Sequence, residues 1–240
     1  MASNDRRERV LASALELIAR DGFDGVRMTD IAAHAGVSAA LVHYHFASRT
    51  QLLTEALAQS LSAAEARMER VTADAHRQTA TERMADLIDF CLPLTPEDVR
   101  ESCLWDELEL RAVGSDELSR TLATLLGRIL RPFEEAVAAG LEEGVFHNCQ
   151  PEEVAAVALA LLSGLSTRVI SNDPALPLAR ARDLAGKHVA LAVGYAGTFP
   201  FRELPPTAPT SPRPRREAEP ADGRPAIVRR RRAPGATQRP

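Results

Sequence analysis

Apolar residues recur along most of the chain with the three- and four-residue spacing of helices that bury one face. Near the amino terminus, Val10, Leu11, Ala14, Leu17 and Ile18 have this spacing and predict an amphipathic helix. The same pattern, interrupted by glycines and prolines, predicts further helices and an all-α fold. The predicted helices cover residues 4–20, 29–35, 39–45, about twenty-five residues from 49, and 81–92, 97–113, 116–143, 152–171 and 178–195.

Residues 28–46, with the sequence MTDIAAHAGVSAALVHYHF, have the spacing of a helix-turn-helix. Gly36 gives the backbone the freedom to end the first helix abruptly, and Ser38 offers a hydroxyl that can cap the second. A short second helix that starts with small residues and carries His43 and Tyr44 can enter the major groove of DNA. The pattern therefore predicts DNA binding.

Metal binding and catalysis fit the sequence less well than DNA binding. His43 and His45 resemble a metal-binding pair, but side chains two residues apart on a helix point to different faces. The chain contains no GxSxG, GxxxxGK[ST] or HExxH motif. We therefore predict a protein that is not an enzyme and uses no metal or cofactor. A helical enzyme, or a helical ligand-binding protein that does not bind DNA, remains the alternative.

Charge is distributed unevenly along the chain. The formal net charge is −4 over 240 residues, but the part from residue 201 onward is rich in arginine and carries about +6. A chain with an acidic body binds DNA when its basic groups lie locally at the DNA face. Arg6 and Arg7 fit either a solvated helix start or phosphate contacts.

Cysteine spacing and hydropathy indicate the cellular compartment of the protein. The three cysteines are isolated and form no CxxC pair, which favours a reduced, cytoplasmic compartment. The longest apolar run, around residues 154–162, is too short for a membrane span. We therefore predict a soluble cytoplasmic protein without a membrane partner.

Three regions are predicted: a DNA-binding domain at residues 1–48, a helical ligand-binding and dimerisation domain at 49–198, and a disordered Pro/Arg-rich tail at 199–240. The last two predicted helices, 152–171 and 178–195, carry apolar or small residues over most of their circumference. We expect this pair to pack against its twin in a homodimer, as a four-helix bundle.

The amino-terminal sequence resembles the TetR family of bacterial transcription regulators. The resemblance lies in the segments GFDGVRMTDIAAHAGVS and HYHFASRTQLL, at residues 22–38 and 43–53. Trp105, in the middle of the second domain, and the later segment GLEEGVF at 140–146 resemble a BetI-like C-terminal subgroup. The family often has Thr just before the first helix of the motif, where this chain has Val26 and Arg27.

The resemblance implies a ligand-responsive repressor that binds a palindromic operator as a homodimer, with an activator of the same fold as the alternative. A small-molecule effector in the second domain would act on the motif through the long helix that starts at Arg49. The expected DNA contacts are Arg27, Thr29, Ser38, Ala39, Ala40, His43, Tyr44, His45 and Arg49. The candidate pocket residues are Met84, Leu87, Trp105, Leu108 and Phe133, with burial in the core as the alternative for each.

Overall fold

All regular structure is helical in the computed structural model, which describes residues 2–73 and 75–204. The predicted helix ends lie within three residues of the observed ones. The α-helices are α1 (Ala2–Asp21), α2 (Met28–His34), α3 (Ala39–His45), α4 (Arg49–Thr72), α5 (Ala80–Phe90), α6 (Pro96–Ala112), α7 (Asp116–Glu142), α8 (Pro151–Ile170) and α9 (Leu178–Ala192). Short 3₁₀ turns at Phe23–Gly25 and Ala75–Arg77 follow α1 and α4.

Side-chain caps fix where several helices begin. The Ser38 hydroxyl accepts from the Leu41 N–H at 3.2 Å, which confirms the predicted cap of α3. Thr79 and Thr95 open capping boxes before α5 and α6, so each helix starts one residue earlier than predicted. Gly36 has φ 64°, the left-handed conformation that ends α2 and lets α3 turn away from it.

The first apolar core joins α1, α2 and α3 to α4 and α6. Phe46, Leu52 and Leu53 are fully buried in it, together with the inward face of α1. Val99 and Cys103 of α6 belong to the same core. The apolar core around the helix-turn-helix therefore continues well past residue 48, the predicted end of the first domain.

The second apolar core joins α5, α7, α8 and α9 and includes the chain after α9. Phe199 is 5% exposed, and Phe201 and Leu204 pack against this core. The predicted disorder of residues 199–240 is therefore wrong for 199–204, because these aromatic side chains bury apolar surface. The rest of the predicted tail, residues 205–240, lies outside the described residues.

A buried ion pair holds that terminal segment in place. The Arg182 guanidinium donates to both carboxylate oxygens of Asp89, at 2.7 and 2.5 Å, and to the carbonyl of Arg202 at 2.6 Å. Its central carbon lies 4.5 Å from the centre of the Phe201 ring. Burial raises the pKa of the Asp89 carboxyl, while hydrogen bonds from Arg182 oppose the shift. The pair thus joins α5, α9 and the terminal segment.

Helix α8 is the one helix among the described residues that is long and apolar enough to cross a membrane by length and composition. Much of it is buried in the second core, and a core helix of a soluble protein has the same properties. Its outward face carries exposed Val157, and neighbouring α9 carries exposed Leu191. Each helix of this pair thus exposes one large apolar side chain.

Candidate functional site

Helix α3 buries one face and presents the other to solvent. Val42 and the adjoining Phe46 are fully buried in the first core, which fixes the rotation of the helix. Tyr44 is 82% exposed, and the half-buried His45 ring packs edge-on against it with 5.2 Å between ring centres. The other exposed side chains on this surface are Ser38, Ala39, Ala40 and His43. The outward face thus combines small residues, which allow close approach, with an aromatic ring and polar groups.

Two more of the predicted contact residues lie at the start of α2. Arg27 occupies the N-cap position in extended conformation, and its side chain makes no capping hydrogen bond. Both Arg27 and Thr29 are exposed. The guanidinium is therefore free to reach a phosphate, which is how we interpret the arginine that replaces the family's usual threonine.

Arg49 does not fit the expected phosphate contact. Its Nε donates to the Val26 carbonyl at 2.6 Å, and a second guanidinium nitrogen donates to the Phe23 carbonyl. The guanidinium also lies over the Phe23 ring, 5.2 Å from its centre. The Phe23 and Val26 carbonyls lie in the loop between α1 and α2, outside the α-helical hydrogen-bond ladders, and need donors. The Arg49 guanidinium supplies these donors, and it therefore points into the protein. We therefore assign Arg49 a positioning role for the loop before α2.

Arg7 is likewise used within the protein. It forms an ion pair with Glu55 of α4 and lies over the Phe46 ring, 5.2 Å from its centre. Arg6, one residue earlier, is exposed. Neither of the two interpretations, a solvated helix start or a phosphate contact, describes Arg7, which has a structural role instead.

Besides its buried contacts in the first core, α6 reaches Phe23, in the turn between α1 and α2, and so meets the DNA-facing unit formed by α1, α2 and α3. Arg111, near the end of α6, lies over the Phe23 ring at 4.7 Å and pairs with Asp24 at 2.5 Å. The Phe23 ring is thus shared by Arg111 from α6 and Arg49 from α4. This contact was not predicted, because nothing in the sequence pattern brings residues so far apart together.

A small cavity lies between α4, α5, α6, α7 and α8, and encloses about 80 Å³. A single water needs about 10–15 Å³, so this space takes about five to eight heavy atoms, the size of a small organic ligand. Its wall combines aromatic, carboxylate and hydroxyl side chains, most of them from α6. The lining residues are Arg67, Phe90, Cys91, Asp98, Glu101, Ser102, Trp105, Asp106, Ile129, Leu159, Ser163 and Ser166.

Only one of the five predicted pocket residues, Trp105, lines this cavity. Met84, Leu87, Leu108 and Phe133 are buried in the packed cores, and Leu87 also borders a separate recess. Large apolar side chains fill the space between helices, so the cavity remains where polar residues stand instead. Trp105 also borders a second cavity of about 440 Å³ between α4, α6 and α7, and together with Ile129 it lines both spaces.

The wall of the small cavity carries an excess of negative charge. Three carboxylates, from Asp98, Glu101 and Asp106, surround it, and Arg67 is the only cationic residue in the lining. Burial raises the pKa of the Glu101 carboxyl, and the charge of Arg67 opposes that shift. Burial also raises the pKa of the Cys91 thiol to about 12, so this group stays neutral at physiological pH. Carboxylates beside the Phe90 and Trp105 rings form a suitable site for an organic cation.

Both halves of the chain match models of known protein families. Residues 10–56 match the family model of bacterial regulatory proteins of the tetR family. Residues 80–194 match the C-terminal domain of the BetI-type transcriptional repressor. The regulator BetI of Agrobacterium fabrum is 31% identical over 182 residues, which cover 73% of this chain and 82% of that protein.

Solved structures with the same fold include two at 27% identity. A transcriptional regulator from Saccharomonospora viridis, in complex with choline, superposes with a TM-score of 0.72 over 78% of this chain and 96% of that one. A TetR-family regulator from a Rhodococcus species gives 0.67 over 79% of this chain and 99% of that one. The family resemblance and the all-helical fold predicted from the sequence are thus confirmed.

The different orientations of Arg27 and Arg49 lead to opposite expectations for two alanine variants. Arg27→Ala should leave the free energy of unfolding unchanged and reduce the slope of log affinity for DNA against log salt by about one, because one phosphate contact is lost. Arg49→Ala should lower the free energy of unfolding by about 1–3 kcal/mol, because loop carbonyls lose their donor. Urea denaturation and fluorescence anisotropy at several salt concentrations measure the two effects.

Arg131→Ala serves as the control for loss of charge, since Arg131 is exposed on α7, in the other half of the molecule. If Arg49→Ala reduced the salt slope by about one and left the unfolding transition in place, Arg49 would be a phosphate contact after all.

Proposed function

The chain belongs to the TetR family of bacterial regulatory proteins and has a BetI-type C-terminal domain, and on this premise we propose how it regulates transcription. It acts as a repressor that binds a palindromic operator as a homodimer and leaves it when a small organic cation binds in the C-terminal domain. The observation that carries this proposal is the acidic, aromatic cavity of α6, which lies on the same helix that contacts the DNA-facing unit.

DNA recognition is assigned to the outward face of α3. Tyr44 brings a ring to a thymine methyl group or sugar and a hydroxyl to a phosphate, while Ala39 and Ala40 let the helix approach the bases. Neither alanine can form the paired hydrogen bonds that read a purine. Sequence preference therefore rests on Ser38, His43 and DNA shape in addition to the ring of Tyr44. Arg27 and Thr29 take the phosphate contacts beside the groove.

A second copy of the chain is proposed to cover the outward face of α8 and α9. Val157 of α8 is 62% exposed and Leu191 of α9 is 75% exposed, and Ala156 and Ala160 of α8 are exposed as well. Small and apolar side chains allow two helix pairs to pack closely as a four-helix bundle. The two-fold axis would place two α3 helices about 34 Å apart, one turn of DNA, on a palindromic site.

The effector is proposed to be a small organic cation such as choline. The cavity's carboxylates and its Phe90 and Trp105 rings suit a quaternary ammonium, which binds aromatic faces without needing hydrogen-bond acceptors. The homologous regulator from Saccharomonospora viridis was solved in complex with choline, which supports this class of ligand.

Tyr44→Ala tests the assignment of the DNA-reading face. We expect affinity for a duplex from the region upstream of the protein's own gene to fall by about thirtyfold, because contacts to bases and backbone are lost together. The dimer mass measured by sedimentation should be unchanged, since Tyr44 is exposed on α3 and is not part of the proposed α8 and α9 interface. Tyr44→Phe separates the ring from the hydroxyl. Wild-type affinity of Tyr44→Ala for this duplex would place the recognition surface elsewhere.

The effector class is testable through the chain's single tryptophan, which lies in the cavity wall. Choline should change the fluorescence of Trp105 and release the operator duplex. The neutral analogue 3,3-dimethylbutan-1-ol, which has the same shape without the charge, should do neither at equal concentration. Trp105→Leu should need about tenfold more choline for release, because a cation–aromatic contact is lost. Equal effects of choline and the neutral alcohol, or no effect of either, would contradict a cationic effector.

A further inference from the structure

We infer that Arg67 acts as an internal cation that occupies the effector site in the ligand-free protein, and that the effector acts by displacing it. This inference rests on the proposed cationic effector and adds how that cation is sensed. Arg67 lies near the far end of α4, the helix whose other end follows the DNA-reading helix. The residue that the effector would replace is thus part of the connection to the DNA-facing unit.

Arg67 makes the contacts that an organic cation would make. One guanidinium nitrogen pairs with Asp98 and, at 2.6 Å, with Glu101, and another donates to the Phe90 carbonyl at 3.2 Å. The guanidinium carbon lies 4.5 Å from the centre of the Phe90 ring. Two carboxylates and an aromatic face therefore surround one positive charge, as they would surround a bound ammonium group.

The site holds Arg67 imperfectly, which makes exchange feasible. Its Nε is buried and has no hydrogen-bond partner among the described residues, so a donor taken out of water is left unsatisfied. A quaternary ammonium carries no N–H group and would leave none unsatisfied. The cavity has a volume of about 80 Å³ with the Arg67 guanidinium in its wall. Displacement of Arg67 would add the volume of the guanidinium to the space available for a ligand.

Displacement of Arg67 would release a link between two helices. Asp98 accepts the guanidinium through Oδ1 and accepts the Thr95 N–H through Oδ2 at 2.8 Å, as part of the capping box that starts α6. Arg67 thus ties the end of α4 to the first turn of α6. The opposite ends of these two helices carry Arg49 and Arg111, which share the Phe23 ring beside the helix-turn-helix. Without the contact between Arg67 and Asp98, α4 and α6 could both shift relative to Phe23 and the helix-turn-helix beside it.

Arg67→Gln is the test, with Arg70→Gln as the matched control. Arg70 lies one turn further on the same helix, is exposed, and does not line the small cavity, so its replacement removes the same charge from the same helix. Choline affinity is measured by Trp105 fluorescence, operator affinity by anisotropy without choline, and folding by thermal denaturation. We expect Arg67→Gln to bind choline about tenfold more tightly and the operator about tenfold more weakly, because competition and the helix link are both lost. Arg70→Gln should change neither affinity.

The outcomes separate the two proposals. If choline binds the wild type and Arg67→Gln binds it no more tightly, Arg67 is not a competitor and this inference is wrong, while the cationic effector stands. If choline binds neither protein, the effector class is wrong, and displacement by it falls too. Should Arg67→Gln fail to fold, Arg67→Lys is the second variant. It keeps the positive charge, but its ammonium group cannot form the forked hydrogen bonds of a guanidinium and competes less well for the site. Displacement therefore predicts that Arg67→Lys binds choline more tightly than the wild type. Unchanged or lower choline affinity in the folded Lys variant would overturn the inference.

Discussion

The structure depends on α6 being shared by two packed regions. Val99 and Cys103 of this helix are buried in the core of the helix-turn-helix unit, whereas Glu101 and Trp105 face the small cavity. Packed protein interiors have few voids and resist small displacements. Because α6 is packed on both sides, a shift of this helix at the cavity also moves the core of the helix-turn-helix unit. We propose that an event in the cavity reaches α3 through this shared helix. In the proposal, α6 acts together with α4, the helix through which the sequence predicts coupling.

Phe23 is the second part of this arrangement. A single ring in a three-residue turn is covered by the guanidinium of Arg49 on one helix and that of Arg111 on another. Arg49 also holds the carbonyls of the loop that leads into α2, so the position of the helix-turn-helix depends on the start of α4. Near the far end of α4, Arg67 also lies over a phenylalanine ring, that of Phe90, but it pairs with carboxylates where Arg49 donates to carbonyls. The long helix is thus anchored near each end by an arginine on a phenylalanine ring.

Local signals determined what could be predicted from the sequence. The ends of α3 were predicted to the residue because Ser38 is a strong cap and Phe46 must be buried. The direction of Arg49 was missed, because an arginine beside a recognition helix can reach a phosphate or a carbonyl and its sequence position is the same in both cases. The pocket was predicted from large apolar residues such as Met84 and Phe133, which fill the core, while the cavity is lined by the polar face of α6. Phe199 is ordered because it packs against helices that are distant in sequence, and the composition of the tail cannot predict such contacts.

Reciprocity between the two ligands tests the central claim most directly. If cation and operator favour different placements of α4 and α6, each must weaken the other's binding by the same factor. The measurement is a choline titration of the free protein and of the protein saturated with its operator duplex, followed by Trp105 fluorescence, alongside operator titrations with and without choline. We expect choline to bind the operator complex about tenfold more weakly, with an equal loss of operator affinity in saturating choline. Equal choline affinity in the free and operator-bound protein would contradict coupling between the cavity and the DNA-reading helix.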